Sequence, residues 1–263
     1  MKSHYRTLFL SDVHLGYGCS RARELSRFLE RIQCEKLYLV GDIIDGWRLA
    51  NRWHWPASHS EVLRHLLDIA RQGTEVIYIP GNHDELARAY VGLDFGGICL
   101  RSYDHHTTAD GRRLLVTHGD QFDFLLQHAR WTSWLGGLAY EWLIRINHAC
   151  NGLRRLVGRP YWSLSRVVTK RFKSAMQYVE QFEKNLLDEA RRQGVDGVVC
   201  GHVHCPALRQ EDVLYLNCGD WVEHCTVLAE SEDGRIELLE GRAFLEAVPD
   251  LAPESVFQGQ EAA

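Results

Sequence analysis

The amino-acid sequence predicts an α/β fold, in which a layered β-sheet carries helices on its outside. Three observations predict it. Short apolar runs alternate with segments of helical periodicity over residues 7–79, which is the β-α-β-α-β order typical of layered sheets. Short β-rich runs return after a long helical region. The chain has 263 residues, 45% of them hydrophobic, which allows one large domain or one domain with an insertion.

The elements of the first part follow from periodicity and turn signals. Each strand is a short apolar run bounded by turn residues, and each helix places its apolar residues three or four positions apart. The run 37–40 is the clearest strand, because it is rich in β-forming residues and stops at Gly41-Asp42. The pattern predicts strands at 7–10, 37–40 and 75–79, and helices at 21–33 and from Pro56 to Gly73.

The second part begins with two strands within 99–116, joined by the hairpin signal Asp110-Gly111. A long helical region follows at 124–193. The apolar run 197–200 returns to strands, and a β-rich end contains the runs 214–217, 225–229 and 236–239. The tail 249–263 is polar, and we expect it to fray.

Charge and cysteine content exclude some classes of function. The formal net charge is −5, so bulk attraction to nucleic acid is not indicated. The eight cysteines form no CxxC pair, which favours reduced, mostly buried thiols in a cytosolic protein. No signal peptide and no apolar run of membrane-spanning length is found. We therefore expect a cytoplasmic protein that can lie against a membrane.

Five short polar clusters each follow an apolar run. A single buried His or Asp after a strand is usually a satisfied hydrogen-bonding group, whereas five in one chain indicate a shared site. Their oxygen and imidazole groups suit Mn, Fe, Zn or Mg, and they are too many for one ion but enough for two that share a carboxylate. The clusters are Asp12-Val13-His14, Gly41-Asp42-Ile43-Ile44-Asp45, Gly81-Asn82-His83-Asp84, His118-Gly119-Asp120 and Gly201-His202-Val203-His204.

These five clusters, in this order, resemble the motifs of the calcineurin-like metallophosphoesterases. The family pattern is D-x-H, GD-x-x-D, GNH-D/E, H and G-H-x-H, and the match spans the chain from Asp12 to His204. The resemblance implies a β-sandwich flanked by helices, with a helical cap insertion. Its expected boundaries are 1–123 with 194–248 for the core, 124–193 for the cap and 249–263 for a flexible tail.

The resemblance also implies a ligand set for two divalent cations, with manganese the expected metal and iron, zinc or magnesium as alternatives. One ion takes four side chains, and Asp42 bridges to the second ion. The implied ligands are Asp12, His14, Asp42 and His204 for the first ion, and Asp42, Asn82, His118 and His202 for the second.

The remaining motif residues receive roles around these ligands. His83 matches the histidine that acts on the transition state or protonates the leaving oxygen, with Asp84 expected to fix its tautomer. Asp45 is expected to support the site or to face the substrate. Trp47 follows the second motif and is a candidate substrate contact. Asp123 is expected to orient His118 or contact the substrate, with a local turn as the alternative.

The predicted insertion is basic and aromatic. No Asp or Glu lies between Glu141 and Glu180, while eight Lys or Arg residues do. An ordinary insertion would bury its aromatics and solvate its basic face. A cap that binds an amphiphile would use its basic residues for a diphosphate and its apolar ones for acyl chains, and we favour this interpretation. The candidate basic contacts are Arg166, Lys170 and Lys173.

The cap, Trp47 and the H-G-D form of the fourth motif resemble one branch of the family, the UDP-2,3-diacylglucosamine hydrolases. This implies hydrolysis of a pyrophosphate bond in a nucleotide-lipid, with contact to the anionic inner membrane. That branch carries Arg in the third motif, where this chain has His83. Another phosphodiester, a cyclic nucleotide or a phosphomonoester is therefore the alternative substrate, and a non-catalytic scaffold is a third hypothesis. The oligomeric state is not fixed by the sequence.

Overall fold

The computed structural model describes residues 2–123 and 165–247, without the side chains of residues 165–176. The chain divides into two compact units, Met1–His118 with Gly194–Ala263, and Gly119–Gln193. Most of the predicted cap, 124–164, and the predicted tail lie outside the described residues, so the predicted domain boundaries stay predictions. No helix among the described residues combines the length and apolarity that a membrane span requires.

The first unit is built from two β-sheets. In chain order the strands are β1 (Ser3–Leu10), β2 (Ile32–Val40), β3 (Glu75–Ile79), β4 (Asp94–Phe95), β5 (Ile98–Leu100), β6 (Asp104–Thr107), β7 (Arg113–Val116), β8 (Gly197–Cys200), β9 (Ala207–Gln210), β10 (Leu214–Asn217), β11 (Thr226–Glu230) and β12 (Ile236–Glu240). The first sheet has the order β12-β11-β1-β2-β3-β5-β4, and the second has the order β6-β7-β8-β10-β9.

The strands that precede the predicted site are parallel. β1 pairs in parallel with β2, and β2 with β3, while β7 pairs in parallel with β8 in the second sheet. Parallel neighbours end at the same edge of a sheet. The predicted hairpin at Asp110-Gly111 is confirmed, because β6 and β7 are antiparallel on either side of it. The carboxyl ends of five strands thus deliver the five polar clusters.

The two sheets pack face to face through alternating side chains. In β1, Phe9 faces the second sheet, whereas Leu8 and Leu10 face the helices. Phe9 stacks on Tyr38 of β2 with ring centroids 5.1 Å apart. Each fully buried apolar side chain contributes roughly 1.5–3 kcal/mol. The second sheet meets this face with Leu114, Val116, Val199, Leu214 and Leu216.

Helices of the first unit cover the outer face of the first sheet. The described α-helices are α1 (Ala22–Arg31), α2 (Gly46–Asn51), α3 (Ala57–Arg71), α4 (Ser165–Gln193) and α5 (Gly241–Ala247). Leu25, Phe28 and Leu29 of α1 are buried, and Phe28 lies against Trp221 with ring centroids 5.5 Å apart. The predicted fold class, a two-sheet α/β sandwich flanked by helices, is confirmed.

The second unit consists, in its described part, of a 3₁₀ helix at Asp120–Phe122 and the long helix α4. The Tyr178 hydroxyl donates a hydrogen bond to Asp123, and the Asn185 side-chain amide donates to the Phe122 carbonyl at 3.0 Å. These contacts fix the start of the unit to α4.

Candidate metal centre

The loops that carry the five polar clusters are joined by hydrogen bonds across both sheets. Asp12 N donates to the Gly41 carbonyl at 3.0 Å, which ties the loop after β1 to the loop after β2. Gly201 N donates to the His118 carbonyl at 3.2 Å. His202 N donates to Asp12 Oδ2 at 3.0 Å, which links the two sheets. The predicted ligands therefore converge at one place.

The backbone at this place is strained. Six non-glycine residues of the described chain have a positive φ, between 51° and 68°, and five of them are predicted ligands. This left-handed region is disfavoured for residues with a Cβ and costs on the order of 1–3 kcal/mol at each position. Such strain clusters at functional sites. The five residues are Asp12, His14, Asp42, His202 and His204.

Three glycines allow the loops to approach the ligands closely. A Cβ on Gly41 would lie 2.2 Å from His118 Nδ1, and one on Gly81 would lie 2.2 Å from Asp42 Oδ1. A Cβ on Gly201 would lie 2.3 Å from Asp12 Oδ2. These distances exclude any larger residue. Close packing therefore explains why glycine stands directly before Asp42, Asn82 and His202.

The first group of ligand atoms contains Asp12, His14 and His204. His204 Nε2 lies 3.1 Å from Asp12 Oδ1 and 3.2 Å from His14 Nε2. His14 Nε2 lies 3.9 Å from Asp12 Oδ1. All three atoms fall within 4.8 Å of one another, a spacing that lets one cation contact all of them.

The second group contains Asp12, Asp42 and His118, again with ligand atoms within 4.8 Å of one another. His118 Nε2 lies 3.5 Å from Asp42 Oδ1, and its Nδ1 contacts the Val40 carbonyl at 2.9 Å. The His202 ring lies beside the His118 ring, with centroids 5.2 Å apart. A backbone carbonyl on Nδ1 leaves Nε2 as the ligand atom.

The donor set fits a pair of divalent cations. Two carboxylates reach both groups. Asp12 belongs to each of them. Asp42 of the second group has its Oδ1 3.5 Å from His118 Nε2 and its Oδ2 3.8 Å from His14 Nε2 of the first group. Within the described residues, the buried Oδ1 of Asn82 has no hydrogen-bond partner. A buried amide oxygen without a partner is costly unless a cation or water satisfies it. These two observations support a shared carboxylate and an amide ligand.

The site holds its carboxylates in the charged form. Burial opposes ionisation, but the neighbouring His204 brings the pKa of Asp12 below its ordinary value. Burial is likewise outweighed at Asp42, where His118 holds the pKa well below its usual range. Burial lowers the pKa of His204, but the Asp12 charge outweighs it and raises the pKa to about 9. Two adjacent buried carboxylates attract cations.

His83 lies beside this centre and is oriented by Asp45. His83 Nδ1 is 3.0 Å from Asp45 Oδ1, and His83 Nε2 is 3.9 Å from Asp42 Oδ2. Burial lowers the pKa of His83, but the hydrogen bond to Asp45 and the charge of Asp42 outweigh it, so the pKa is raised above its usual value. His83 is therefore held as a proton donor whose Nε2 faces the centre.

The predicted contact between Asp84 and His83 was wrong. In the described part of the chain Asp84 instead accepts hydrogen bonds from Ile43 N at 2.9 Å, from Gly81 N and from the Tyr78 hydroxyl. These three donors occupy both oxygens of its buried carboxylate. Asp84 thus ties the third motif to the second, and the orienting role belongs to Asp45.

Asp45 and Trp47 occupy different environments. Asp45 is fully buried, and its Oδ2 lies 3.1 Å from His14 Nδ1, so one carboxylate contacts both His14 and His83. Burial favours the supporting interpretation of Asp45 over the substrate-facing one. Trp47 is 42% exposed, and its ring lies 4.4 Å from the His83 ring. It is therefore accessible to a substrate.

The other predicted substrate contacts lie outside the first unit. Asp123 belongs to the second unit, where it accepts a hydrogen bond from Tyr178. The side chains of Arg166, Lys170 and Lys173 are outside the described residues. Their roles stay predictions.

Asp220 is an acidic residue near the centre that the sequence motifs did not predict. Asp220 is fully buried and contacts His224 Nδ1, and its charge helps to raise the pKa of His204. The backbone N–H of the next residue, Trp221, donates to the Asp12 carbonyl at 3.0 Å. Gly219-Asp220 follows β10 as Gly41-Asp42 follows β2, and this repeated pattern was the available signal.

A family model for calcineurin-like phosphoesterases matches residues 5–206. This range contains all five motifs and more than half of the chain, so the match covers the centre described above.

Relatives of known name match most of the chain at low identity. The UDP-2,3-diacylglucosamine hydrolase of Azotobacter vinelandii is 27% identical over 240 residues, which cover 87% of this chain and 95% of that protein. The protein of the same name from Porphyromonas gingivalis is 26% identical, covering 82% and 90%.

Among solved structures, a Vps29 mutant from Entamoeba histolytica aligns over 89% of this chain and 96% of its own, at 12% identity and a TM-score of 0.43. This likeness is too low to carry an argument. The family model and the named relatives carry the assignment: the chain belongs to the calcineurin-like phosphoesterase family and is a hydrolase that acts on phosphate esters.

Proposed function

We propose that the enzyme hydrolyses the pyrophosphate bond of UDP-2,3-diacylglucosamine, a step of lipid A synthesis, to UMP and 2,3-diacylglucosamine 1-phosphate. The convergence of the ligand side chains around Asp42 carries the proposed chemistry. The substrate is proposed from the name that the relatives share over almost their full length.

The proposed centre takes two divalent cations, with manganese as the metal. When bound, the ions supply Lewis acidity to the phosphoryl oxygens and a water of lowered pKa. Asp42 would be the shared ligand, because its two oxygens face different groups. The proposed ligands are Asp12, His14, Asp42 and His204 on one side, and Asp42, Asn82, His118 and His202 on the other.

His83 supplies the proton in this proposal. Asp45 binds its Nδ1, so the proton available for transfer is on Nε2, which faces the centre. The leaving oxygen of the scissile bond receives that proton. The tilted contact with Trp47 keeps the imidazole in place while leaving part of the indole exposed.

Substrate binding is assigned to the predicted cap and to the rim of the centre. We propose that residues 124–193 bind the amphiphile, with Arg166, Lys170 and Lys173 toward the diphosphate and Asp123 and Trp47 as further contacts. Since the substrate carries acyl chains, the enzyme is placed at the cytoplasmic face of the inner membrane.

One sequence feature favours a second candidate, hydrolysis of another phosphodiester, a cyclic nucleotide or a phosphomonoester. The third motif has His83 where the hydrolases of nucleotide-lipids resembled above carry Arg. A histidine donates a proton and an arginine does not, so this position can serve leaving groups that need protonation.

The test compares two substrates with one enzyme preparation. Purified protein with Mn²⁺ is incubated with UDP-2,3-diacylglucosamine in detergent micelles, and UMP is measured by mass spectrometry. Bis-p-nitrophenyl phosphate serves as a soluble diester in parallel. We expect UMP release that is lost in Asp42→Asn. Turnover of the soluble diester without UMP release would favour the second candidate.

A further inference from the structure

An exposed apolar strap follows the third motif. We define the strap as residues 85–95, which contain the 3₁₀ helix Glu85–Tyr90 and strand β4. Its five large apolar side chains are 40–83% exposed, with the highest value at the first of them. These side chains are Leu86, Tyr90, Val91, Leu93 and Phe95.

Backbone hydrogen bonds to Leu100 hold the strap in place. Gly92 N donates to the Leu100 carbonyl and Leu100 N to the Leu93 carbonyl, both at 2.9 Å. The rings of Tyr90 and Phe95 meet edge to face, with centroids 6.0 Å apart. The exposed apolar side chains therefore stand on a hydrogen-bonded backbone, so binding has to order the side chains but not the backbone.

The strap is continuous with the metal centre. It begins directly after Asp84, which is hydrogen-bonded to Ile43 N beside Asp42. His83, which lies one residue earlier, is part of the centre itself. A surface that binds the strap would therefore hold the centre close to itself.

The charged residues of the strap do not favour binding to anionic lipids. The strap carries the acidic residues Glu85 and Asp94 and the basic residue Arg88. Asp94 accepts a hydrogen bond from Gly97 N at 2.9 Å. With two acidic groups and one basic group, the strap has no excess of positive charge for anionic lipids, so apolar contact must supply the binding energy.

The exposed area favours a bilayer over a second copy of the chain. With five large apolar side chains that are 40–83% exposed, the strap presents on the order of 500 Å² of apolar surface. A stable dimer interface buries about 800 Å² per partner. Strand β4 has two residues, so edge-to-edge pairing would add few hydrogen bonds. A lipid surface needs only shallow insertion of apolar groups.

We propose that the strap inserts into the lipid interface and holds the enzyme at the bilayer that carries its substrate. This inference rests on the proposed function, because it assigns a membrane-borne amphiphile to the centre. The proposed contact with the bilayer is made by apolar side chains of the first unit and does not depend on the basic residues of the predicted cap.

The experiment measures binding to vesicles of phosphatidylcholine by sedimentation, at low salt and at about 1 M salt. The full chain is compared with a triple variant, Leu86→Ser, Leu93→Ser and Phe95→Ser. We expect the wild type to bind at both salt concentrations and the triple variant to lose about tenfold in partitioning. Leu208→Ser and Tyr103→Ser, also exposed apolar positions, are matched controls that keep wild-type binding.

Turnover of bis-p-nitrophenyl phosphate should be unchanged in every variant. Should the triple variant fail to fold by circular dichroism, Leu86→Ser alone, at the most exposed position, is expected to lose about threefold.

The proposal would be overturned if the wild type did not bind vesicles, if the triple variant bound them equally well, or if binding disappeared at high salt. It would also be overturned if the wild type were a dimer and the three substitutions made it monomeric without changing vesicle binding. Vesicle binding without UMP release would contradict the proposed substrate while supporting the strap. UMP release without vesicle binding would contradict the strap alone.

Discussion

Two buried polar clusters of the first unit contain the same kinds of side chain but are built differently. In the first, Glu230 on β11 is fully buried and lies 2.6 Å from both Arg6 and His106. It also accepts a hydrogen bond from Ala109 N at 2.7 Å. None of these four residues has a positive φ. Here every oxygen of the carboxylate has donors, and the cluster joins the two sheets.

The metal centre, by contrast, contains strained backbone and, among the described residues, a buried polar atom without a partner. Asp12 and Asp42 lie close enough for the Asp42 charge to oppose ionisation of Asp12, and both stand in the left-handed region. The buried Oδ1 of Asn82 has no partner within the described residues. A cluster that only stabilised the fold would have lost such strain and such an orphaned atom. Backbone strain combined with an amide oxygen that the described residues leave unpartnered, rather than buried charge alone, therefore distinguishes the functional cluster from the structural one.

Asp42→Asn is the substitution with the largest expected effect on activity. It removes one charge from the position between the two ligand groups, and we expect turnover of bis-p-nitrophenyl phosphate to fall by on the order of 10³-fold. Metal content, measured by inductively coupled plasma mass spectrometry, should fall with it. Burial opposes ionisation of Asp42, but the neighbouring His118 holds its pKa below the usual range, so the charged carboxylate stabilises the metal-free fold. The metal-free variant should therefore be less stable than the metal-free wild type at neutral pH. A stable variant that retains both metal and activity would remove Asp42 from the centre.

Asp45→Asn tests whether His83 is oriented by Asp45 or by Asp84, its neighbour in the sequence. Loss of the Asp45 charge lowers the pKa of His83, so the alkaline limb of the pH–rate profile should move to lower pH, and kcat should fall by about 10²-fold. Asp84→Asn is the matched control and should leave the alkaline limb in place. A shift produced by Asp84→Asn and not by Asp45→Asn would restore the role expected from the sequence.

Glu230→Gln should affect stability and not chemistry. Burial alone would raise the pKa of Glu230, but hydrogen bonds led by that from His106 lower it to about 2. Because the pKa of the folded state lies below the ordinary value of 4.5, the stabilisation is present above pH 4.5 and is lost as the pH falls toward about 2.

Urea unfolding should therefore show Glu230→Gln to be less stable by about 2 kcal/mol at neutral pH, with a smaller loss of stability than the wild type on acidification. Activity at neutral pH should be retained. A large loss of activity in a folded variant would erase the contrast between the two clusters.

Strands and ligand types could be predicted from the sequence because they depend on local pattern. The predicted strand 75–79 agrees with β3 residue for residue, since a β-branched run lies between a glycine-containing turn and a proline. The run 214–217 agrees with β10 in the same way. The helix α2 was missed, because Gly46–Asn51 is too short for apolar periodicity and is started by the Asp45 side chain, which accepts from Arg48 N at 3.0 Å.

The contacts within the centre could not be predicted, because they depend on how distant loops meet. His83 is next to Asp84 in sequence and 38 positions from Asp45, yet its imidazole is held by Asp45. Five positive φ angles fall on aspartate and histidine residues, and nothing in the sequence marks these residues as left-handed. The pairing of Asp220 with the centre depends on the order of β8 and β10 in the second sheet.

The most direct test of the two-cation centre is the position of anomalous scattering in crystals grown with Mn²⁺. We expect two peaks roughly 3.5–4 Å apart, with the Asp42 carboxylate in contact with both of them. One peak would be bounded by His14 and His204 and the other by Asn82 and His118. A single peak, or two peaks that Asp42 does not join, would contradict the account.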